Sequence, residues 1–287
     1  MALTENELFG VRDKVAIALM RIKEFEQMAL MNNPAGYHVC ISGGKDSSVI
    51  QELCIMSGVK CEFVYSHTSV DYPETIYFIR KEQERLRDLG YTFSICIPRW
   101  KDGRQKTMWN MIPTKGLPLR TIRWCCKELK EMAGRDRYCI TGVRWAESVA
   151  RKRNRKLHEL SGKTKADIEL FNDDNDMKRR LTEICLLKRR FVLNPIIDWS
   201  DYDVWDFLHL RNVPVNPMYE KGYKRIGCIG CPMSTTARKE LNKYPKYKTA
   251  YQKAAKKYWE HRKEIADYPL DRVMETPETY FDWWLRR

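Results

Sequence analysis

The segment Ser42-Gly43-Gly44-Lys45-Asp46-Ser47 brings together the residue types needed to hold a phosphate. Two adjacent glycines let backbone N–H groups approach an anion closely. A helix starting there adds its unpaired N–H groups and the positive end of its dipole. Lys45 contributes a cation, Asp46 a carboxylate suited to magnesium, and Ser42 and Ser47 contribute hydroxyl donors. The apolar run Tyr37-His38-Val39-Cys40-Ile41 precedes the segment and Ser48-Val49-Ile50 follows it, so the order reads strand, glycine-rich turn, helix. A Walker A loop is excluded, because Lys45 is followed by Asp46 and the position five before Gly44 is Val39. Sulfur is the second chemical resource. Cys125-Cys126 and Cys228-x-x-Cys231 lie beside turns and polar residues, whereas Cys40, Cys54, Cys61, Cys96, Cys139 and Cys185 sit in apolar contexts and read as small buried hydrophobes. A CxxC pair is common in zinc sites, but an adjacent Cys-Cys is unusual there.

These residues need a scaffold, and the chain has the means to build one. Its 287 residues, 43% hydrophobic and including nine tryptophans, suffice for a full core. Charges interrupt every long apolar stretch, so no membrane span is expected. Glu5 and Glu7 stand where a signal peptide would carry basic residues, so a cytoplasmic chain is expected. In that setting ten cysteines point to metal or redox chemistry rather than to a disulfide framework. Leu8, Val11, Val15, Leu19, Ile22 and Phe25 predict one amphipathic helix over about 5–31. Strands are predicted at His38–Ile41, Cys61–Ser66, Thr92–Ile97 and Tyr138–Gly142, with helices at Ser47–Ser57, Glu74–Leu89 and Lys101–Ile112 between them. This alternation predicts an α/β fold in which a mostly parallel sheet is flanked by helices and ligands bind at the carboxyl ends of the strands. Residues 156–181 read as a polar surface insertion. Strand character returns over Ile184–Trp199, Ser200 or Asp201 caps a helix to about Leu210, and a helical region closes the chain.

The formal net charge is +14. Arg144, Arg151, Lys152, Arg153, Arg155 and Lys156 form one basic block. Lysines from Lys239 to Lys263 form another, interleaved with Tyr244, Tyr247, Tyr251, Tyr258 and Trp259. Two readings stand: a surface that tracks a nucleic-acid backbone and stacks bases, or helices whose aromatics face a core while their lysines face water.

Ser42–Ser47 resembles the PP-loop of ATP pyrophosphatases, enzymes that split ATP between its α and β phosphates. Further segments resemble the PAPS reductase family: His67-Thr68-Ser69-Val70-Asp71-Tyr72-Pro73-Glu74-Thr75, Gly142-Val143-Arg144-Trp145-Ala146-Glu147-Ser148, and Pro195–Cys231 with its Asp198-Trp199, Asn216-Pro217-Met218-Tyr219 and Gly227-Cys228. The resemblance spans about residues 35–235 and implies an adenine nucleotide α-hydrolase-like (HUP) fold. The expected organisation is an N-terminal helix over 1–34, the PP-loop domain over 35–232 and a helical region over 233–287. The resemblance also implies that Ser42, Gly43, Gly44, Lys45, Asp46 and Ser47, with Gly142, Arg144, Glu147 and Ser148, bind the nucleotide. Lys45, Asp46 and Arg144 are the catalytic candidates, with Arg144 as a phosphate or sulfate clamp. One departure is visible: His67-Thr68-Ser69 stands where the family has Asp-Thr-Gly, and His67 reads as a hydrogen-bonded histidine at a strand end.

Cys125, Cys126, Cys228 and Cys231 resemble the [4Fe–4S] ligands of the APS-reducing branch, with zinc as the second reading and metal-free thiols as the third. Reductases of the family use a cysteine in a C-terminal tail, and this sequence has none after Cys231, so simple sulfonucleotide reduction is disfavoured. The expected activity is that of an ATP pyrophosphatase using ATP with Mg2+ to adenylylate an acceptor for sulfur incorporation. In this it is similar to the ATP-pyrophosphatase component of DNA phosphorothioation systems. The partners implied are nucleic acid and a cysteine desulfurase or other sulfur donor. Tetrathiolate ligation leaves no iron open, unlike the three-cysteine clusters of tRNA-thiolating PP-loop enzymes. A sulfonucleotide reductase and a nucleotide-sensing Fe–S subunit are the alternatives.

Overall fold

Short β-branched and aromatic runs assemble into one sheet. The computed structural model describes residues 3–7, 10–160, 191–265 and 275–286. β1 (Thr4–Glu7) and β2 (Gly10–Asp13) form an antiparallel hairpin. The main sheet contains β3 (Tyr37–Ile41), β4 (Cys61–Ser66), β5 (Thr92–Cys96), β6 (Tyr138–Ile140), β7 (His158–Leu160) and β8 (Phe191–Leu193) in the order β5-β4-β3-β6-β8-β7. β3 runs parallel to β4 and β6, and β6 parallel to β8, while β7 is antiparallel to β8. The sheet is therefore mostly parallel and flanked by helices, as expected. After β3 the chain proceeds outward through β4 and β5, then returns to place β6 on the other side of β3. That reversal opens a crevice at the carboxyl ends of β3 and β6, where open α/β sheets bind ligands.

The N-terminal expectation needs correction. The first residues form the β1–β2 hairpin, and the helix begins only at α1 (Lys14–Glu24), where the Asp13 side chain accepts from Val15 N and Ala16 N at 2.9 and 3.0 Å. A break at Phe25 separates α1 from α2 (Glu26–Asn32). Val15, Ala18 and Ile22 carry the buried stripe. α3 (Lys45–Ser57) and α4 (Pro73–Asp88) lie close to the predicted spans. α5 runs Met108–Lys115, not from Lys101, because a Thr107–Asn110 capping box sets its start. The strand β7 had no counterpart in the sequence reading. It occupies the start of the 156–181 insertion, whose remainder lies outside the described residues, as does Cys185.

The chain folds as two compact units. The first takes the residues up to Tyr65, Tyr77–Ser94 and Gly134–Arg225; the second takes Ser66–Ile76, Ile95–Ala133 and the residues from Ile226 onward. In the first, Asp198 joins the N-terminal elements to the segment after β8. It accepts from Arg12 at 2.6 Å and from both terminal nitrogens of Arg21 at 2.8 and 3.0 Å. Burial pushes the Asp198 carboxyl up, but the Arg21 hydrogen bonds and the charges of Arg21 and Arg12 outweigh it and hold the carboxyl below the usual range. Its contribution is thus complete above the ordinary carboxylate range and drains as pH falls through the lowered value. Asp198→Asn is expected to cost about 1–3 kcal/mol at pH 7 in urea unfolding, with the gap to wild type closing towards pH 3. An equal gap at both pH values would refute this account.

The second unit is mainly helical. α5 packs against the Pro245–Ile265 helix, with Trp109 edge-on to Tyr251 at 5.0 Å between ring centroids. Tyr251 also meets Trp284, and Tyr258 meets Tyr280 of the Pro277–Arg286 helix. Trp284 Nε1 donates to Pro118 O at 2.7 Å. Tyr251 thus turns inward, while Lys243, Lys246, Lys253, Lys256 and Lys257 remain exposed. Tyr251 is therefore a core ring, whereas Tyr244, Tyr247, Tyr258 and Trp259 are half-buried. A lysine face remains.

Candidate nucleotide and thiolate sites

The Ser42–Ser47 loop closes on itself where β3 ends. Gly43 takes φ +74°, a conformation that side chains rarely adopt, and α3 begins at Lys45 with Gly44 as its cap residue. Ser47 Oγ donates to Gly44 O at 2.8 Å and accepts from Ser42 N at 3.2 Å; Ser42 Oγ lies 3.4 Å from Gly44 N. Two residues from the Asn216–Tyr219 motif brace the loop from below. Asn216 Nδ2 donates to Gly43 O at 3.1 Å, and Lys45 N donates to the Tyr219 hydroxyl at 2.8 Å. Burial pushes the Tyr219 phenol up to about 12, so it stays protonated and neutral here.

Charge at the loop is organised by a residue that the sequence reading used only as a helix cap. Lys45 Nζ lies 3.1 Å from Asp46 Oδ2 and 3.1 Å from Asp201 Oδ1. Arg144 Nε donates to Asp46 Oδ1 at 2.6 Å, its Nη2 to Asp201 Oδ1 at 2.7 Å and its Nη1 to Trp199 O at 3.1 Å. Arg144 is fully buried, with 0% exposure. Its guanidinium therefore fixes two carboxylates at the mouth of the loop, and all three donor nitrogens are engaged in doing so. Burial pushes the Asp201 carboxyl up, but Arg144 and Lys45 more than offset this and hold it low, so it remains ionised. Nothing in the sequence pattern marked Asp201 beyond its place at the start of the helix Asp201–Leu210, capped by Ser200.

Gly142, Glu147 and Ser148 hold the second loop in shape. Glu147 accepts from Arg144 N at 3.0 Å and pairs with Arg151, while Ser148 Oγ caps the Val149–Asn154 helix by accepting from Arg151 N at 3.2 Å. Gly142 packs against the first turn of α3: a Cβ there would stand 2.8 Å from Asp46 O and 2.9 Å from Asp46 C. Gly142→Ala must push the two loops apart and is expected to cost about 1–3 kcal/mol. The checks are a lower Tm and a raised KM for the nucleotide; an unchanged KM would show that the loop spacing does not matter.

The second unit gathers Cys125, Cys126, Cys228 and Cys231. Cys125 feels the charges of the other three. Cys126 opens a π-helical turn, Cys126–Lys130, and the turn places the Lys130 ammonium against Cys228. The negative charges of Cys228, Asp71 and Cys126 raise Lys130. The other pair is set by a tight turn in which Cys231 N donates to Cys228 O at 3.2 Å, and by a bridge between Asp71 and Cys228. Thr68 carries this support: its N and Oγ1 donate to Asp71 at 2.7 and 2.8 Å, and Oγ1 lies 3.6 Å from Cys228 Sγ. Ser69, standing where the family pattern has glycine, adopts φ +68° and is stabilised by accepting from Met108 N at 2.9 Å. His67 sits just past β4, with its backbone N–H on Cys96 O at 2.9 Å. Lys130 and Asp71 were not among the predicted site residues; the lysine's position four after Cys126 was the available signal.

The four thiols suit a metal group. Among the described residues, no three of these sulfurs lie within 4.8 Å of one another. The five other described cysteines are not uniformly buried. Cys54 and Cys139 are, whereas Cys40, Cys61 and Cys96 are half-buried.

Comparison with known proteins decides the family. The phosphoadenosine phosphosulfate reductase domain matches residues 36–234. The chain belongs to that family. With the mostly parallel sheet, this gives the PAPS reductase-like chain an adenine nucleotide α-hydrolase-like fold. It is 26% identical over 206 residues to an adenosine 5'-phosphosulfate reductase of Geobacillus kaustophilus, covering 70% of this chain and 74% of that protein. It is 29% identical over 227 residues to an uncharacterized protein of Methanocaldococcus jannaschii, covering 77% of this chain but only 47% of that one, so this PAPS reductase-like chain spans about half the length of its archaeal relative. The crystal structure of the PAPS reductase of Candida auris superposes with a TM-score of 0.45 at 18% identity, covering 72% of this chain and 87% of that one. Among the described residues, no helix is long and apolar enough to cross a membrane.

Proposed function

We propose that the chain is an ATP pyrophosphatase that adenylylates an acceptor for sulfur incorporation, with a DNA phosphodiester as the acceptor. The observation that carries this reading is the pair of carboxylates, Asp46 and Asp201, held by one buried guanidinium at the mouth of a phosphate cradle. Hard oxygen ligands of this kind suit Mg2+, which a triphosphate needs to offset its charge. Asp46 and Asp201 would hold the Mg2+ that accompanies ATP, and Lys45 Nζ would then be free of Asp201 to meet a phosphate oxygen. The positive end of the α3 dipole favours the same anion. An ionised acceptor oxygen attacks the α-phosphorus, the bond to the β-phosphate oxygen breaks, and pyrophosphate leaves with its charge met by Lys45 and Mg2+. Hydrosulfide, released from the donor's persulfide by a thiol reductant that supplies two electrons, then attacks the acceptor phosphorus; the P–S bond forms, the P–O bond to AMP breaks and AMP leaves. Arg144 acts as a positioning residue that keeps both carboxylates aimed at the metal.

Cys125, Cys126, Cys228 and Cys231 would hold a [4Fe–4S] cluster, an electron reservoir that would also tie their two segments together. The exposed lysines of the Pro245–Ile265 helix supply charge for a polyanionic acceptor. The test is pyrophosphate release from ATP by anaerobically purified protein, with and without duplex DNA, over a salt series. Release that DNA increases at low salt supports the reading, and release indifferent to DNA keeps the chemistry but removes the acceptor. The second reading, a sulfonucleotide reductase, is favoured by the relative named as an adenosine 5'-phosphosulfate reductase. Sulfite from APS without pyrophosphate from ATP would put it first.

A further inference from the structure

We propose that His38, Cys40 and Cys139 form a zinc site on one face of the central sheet, separate from the four-cysteine cluster. His38 and Cys40 are two apart on β3 and so share a face; Cys139 lies opposite His38 in the β3–β6 register. Their ligand atoms all lie within 4.8 Å of one another. His38 and Cys139 are buried, at 3% and 0% exposure, and Cys40 is half-buried. His38 Nδ1 faces Glu62 Oε1 at 3.2 Å, and Glu62 is held in turn by Arg137. Nε2 therefore faces the thiols: a Cβ built on Gly134 would meet Cys139 Sγ at 2.6 Å and His38 Nε2 at 3.5 Å, placing both around one spot.

Two thiolates and an imidazole make a soft donor set typical of zinc, and three protein ligands leave a fourth position for water. A carboxylate on the far nitrogen of a ligating imidazole fixes its tautomer and orientation, which is the part Glu62 is placed to play. Bonds of 2.0–2.3 Å require the ligand atoms to close to about 3.5–3.8 Å, a movement of about 1 Å that side-chain rotation can supply. Each thiol gives its proton to solvent as it coordinates. Cys40 stands two residues before Ser42, and Cys139 three before Gly142. Zinc would thus clamp together the strand ends that carry the phosphate loop and the Arg144 loop.

The experiment loads anaerobically purified full-length protein with Zn2+, removes excess metal, and measures zinc and iron per chain together with the zinc-edge X-ray absorption spectrum. The expected result is one zinc with two sulfurs and a nitrogen in its shell. That zinc should be lost in both Cys139→Ser and Cys40→Ser with iron content unchanged, and bound about 10–100-fold more weakly in Glu62→Gln. Cys40 is half-buried, so its variant guards against a folding failure at Cys139, and a cooperative thermal transition in each variant shows that it folds. Absence of retained zinc, a four-sulfur shell, zinc retained in folded Cys40→Ser and Cys139→Ser variants, or a Cys40–Cys139 disulfide in place of metal would each overturn the proposal.

Discussion

Lys45→Ala is expected to lower pyrophosphate release from ATP by about 10²–10³-fold, the range seen when one preorganised charge at a reacting centre is removed. Its ammonium is nearly enclosed, with 11% side-chain exposure, so its interaction with a phosphate is poorly screened. The loss should fall on turnover more than on KM, because the charge it meets develops as the α–β bond breaks. The scaffold should survive, since Arg144 still pairs with both Asp46 and Asp201. Lys45→Arg should not restore activity. A planar fork cannot take the place of a compact ammonium between two carboxylates. Asp46→Asn separates charge from shape: the amide oxygen still accepts from Arg144, but the metal loses an anionic ligand, so the Mg2+ requirement should rise. Near-normal turnover in both Lys45→Ala and Asp46→Asn would sink the assignment of the active site.

The same residues show what could be read in advance. Strand Cys61–Ser66 and the Ser200-capped helix were legible because each depends on local signals, a short apolar run or a cap residue. The loop was legible because its glycines, Lys45 and Ser47 are contiguous. Asp201 was not, because its role arises only when the turn after β8 delivers it to Arg144, 57 residues away in sequence. The clamp role expected of Arg144 has the same origin: sequence shows a guanidinium in a loop, but not that two carboxylates and a carbonyl occupy its donors. The hairpin β1–β2 was hidden because Leu8 and Val11 fit a helical stripe as well as a strand pattern. In the Pro245–Ile265 helix, composition could not separate stacking rings from core rings. The partners Trp109 and Trp284 do so for Tyr251.

Cys126→Ser should remove most of the iron and the visible absorbance of protein purified without oxygen, and reconstitution should not restore them. A serine oxygen is a hard ligand with a far higher pKa than a thiol, so one corner of the core would lack its soft anionic ligand. The position is more sensitive than its neighbour. In the metal-free protein a hydrogen bond from the Cys125 thiol draws the Cys126 pKa down; burial opposes this, and the charges of Lys130 and Arg123 add to the lowering, to about 6. Cys125, the donor in that pair, is pushed up and stays a thiol. At pH 7 Cys126 is therefore the preformed thiolate with which metal capture can begin. Iodoacetamide modification of metal-free protein should show a midpoint near 6 at Cys126 and a much higher one at Cys125. Reconstitution should slow as pH drops below that midpoint. Lys130→Met should raise the Cys126 midpoint, and by removing the cation beside Cys228 it should also slow assembly at pH 7. Equal midpoints for the two cysteines would mean that the adjacent pair is not polarised and that assembly begins elsewhere.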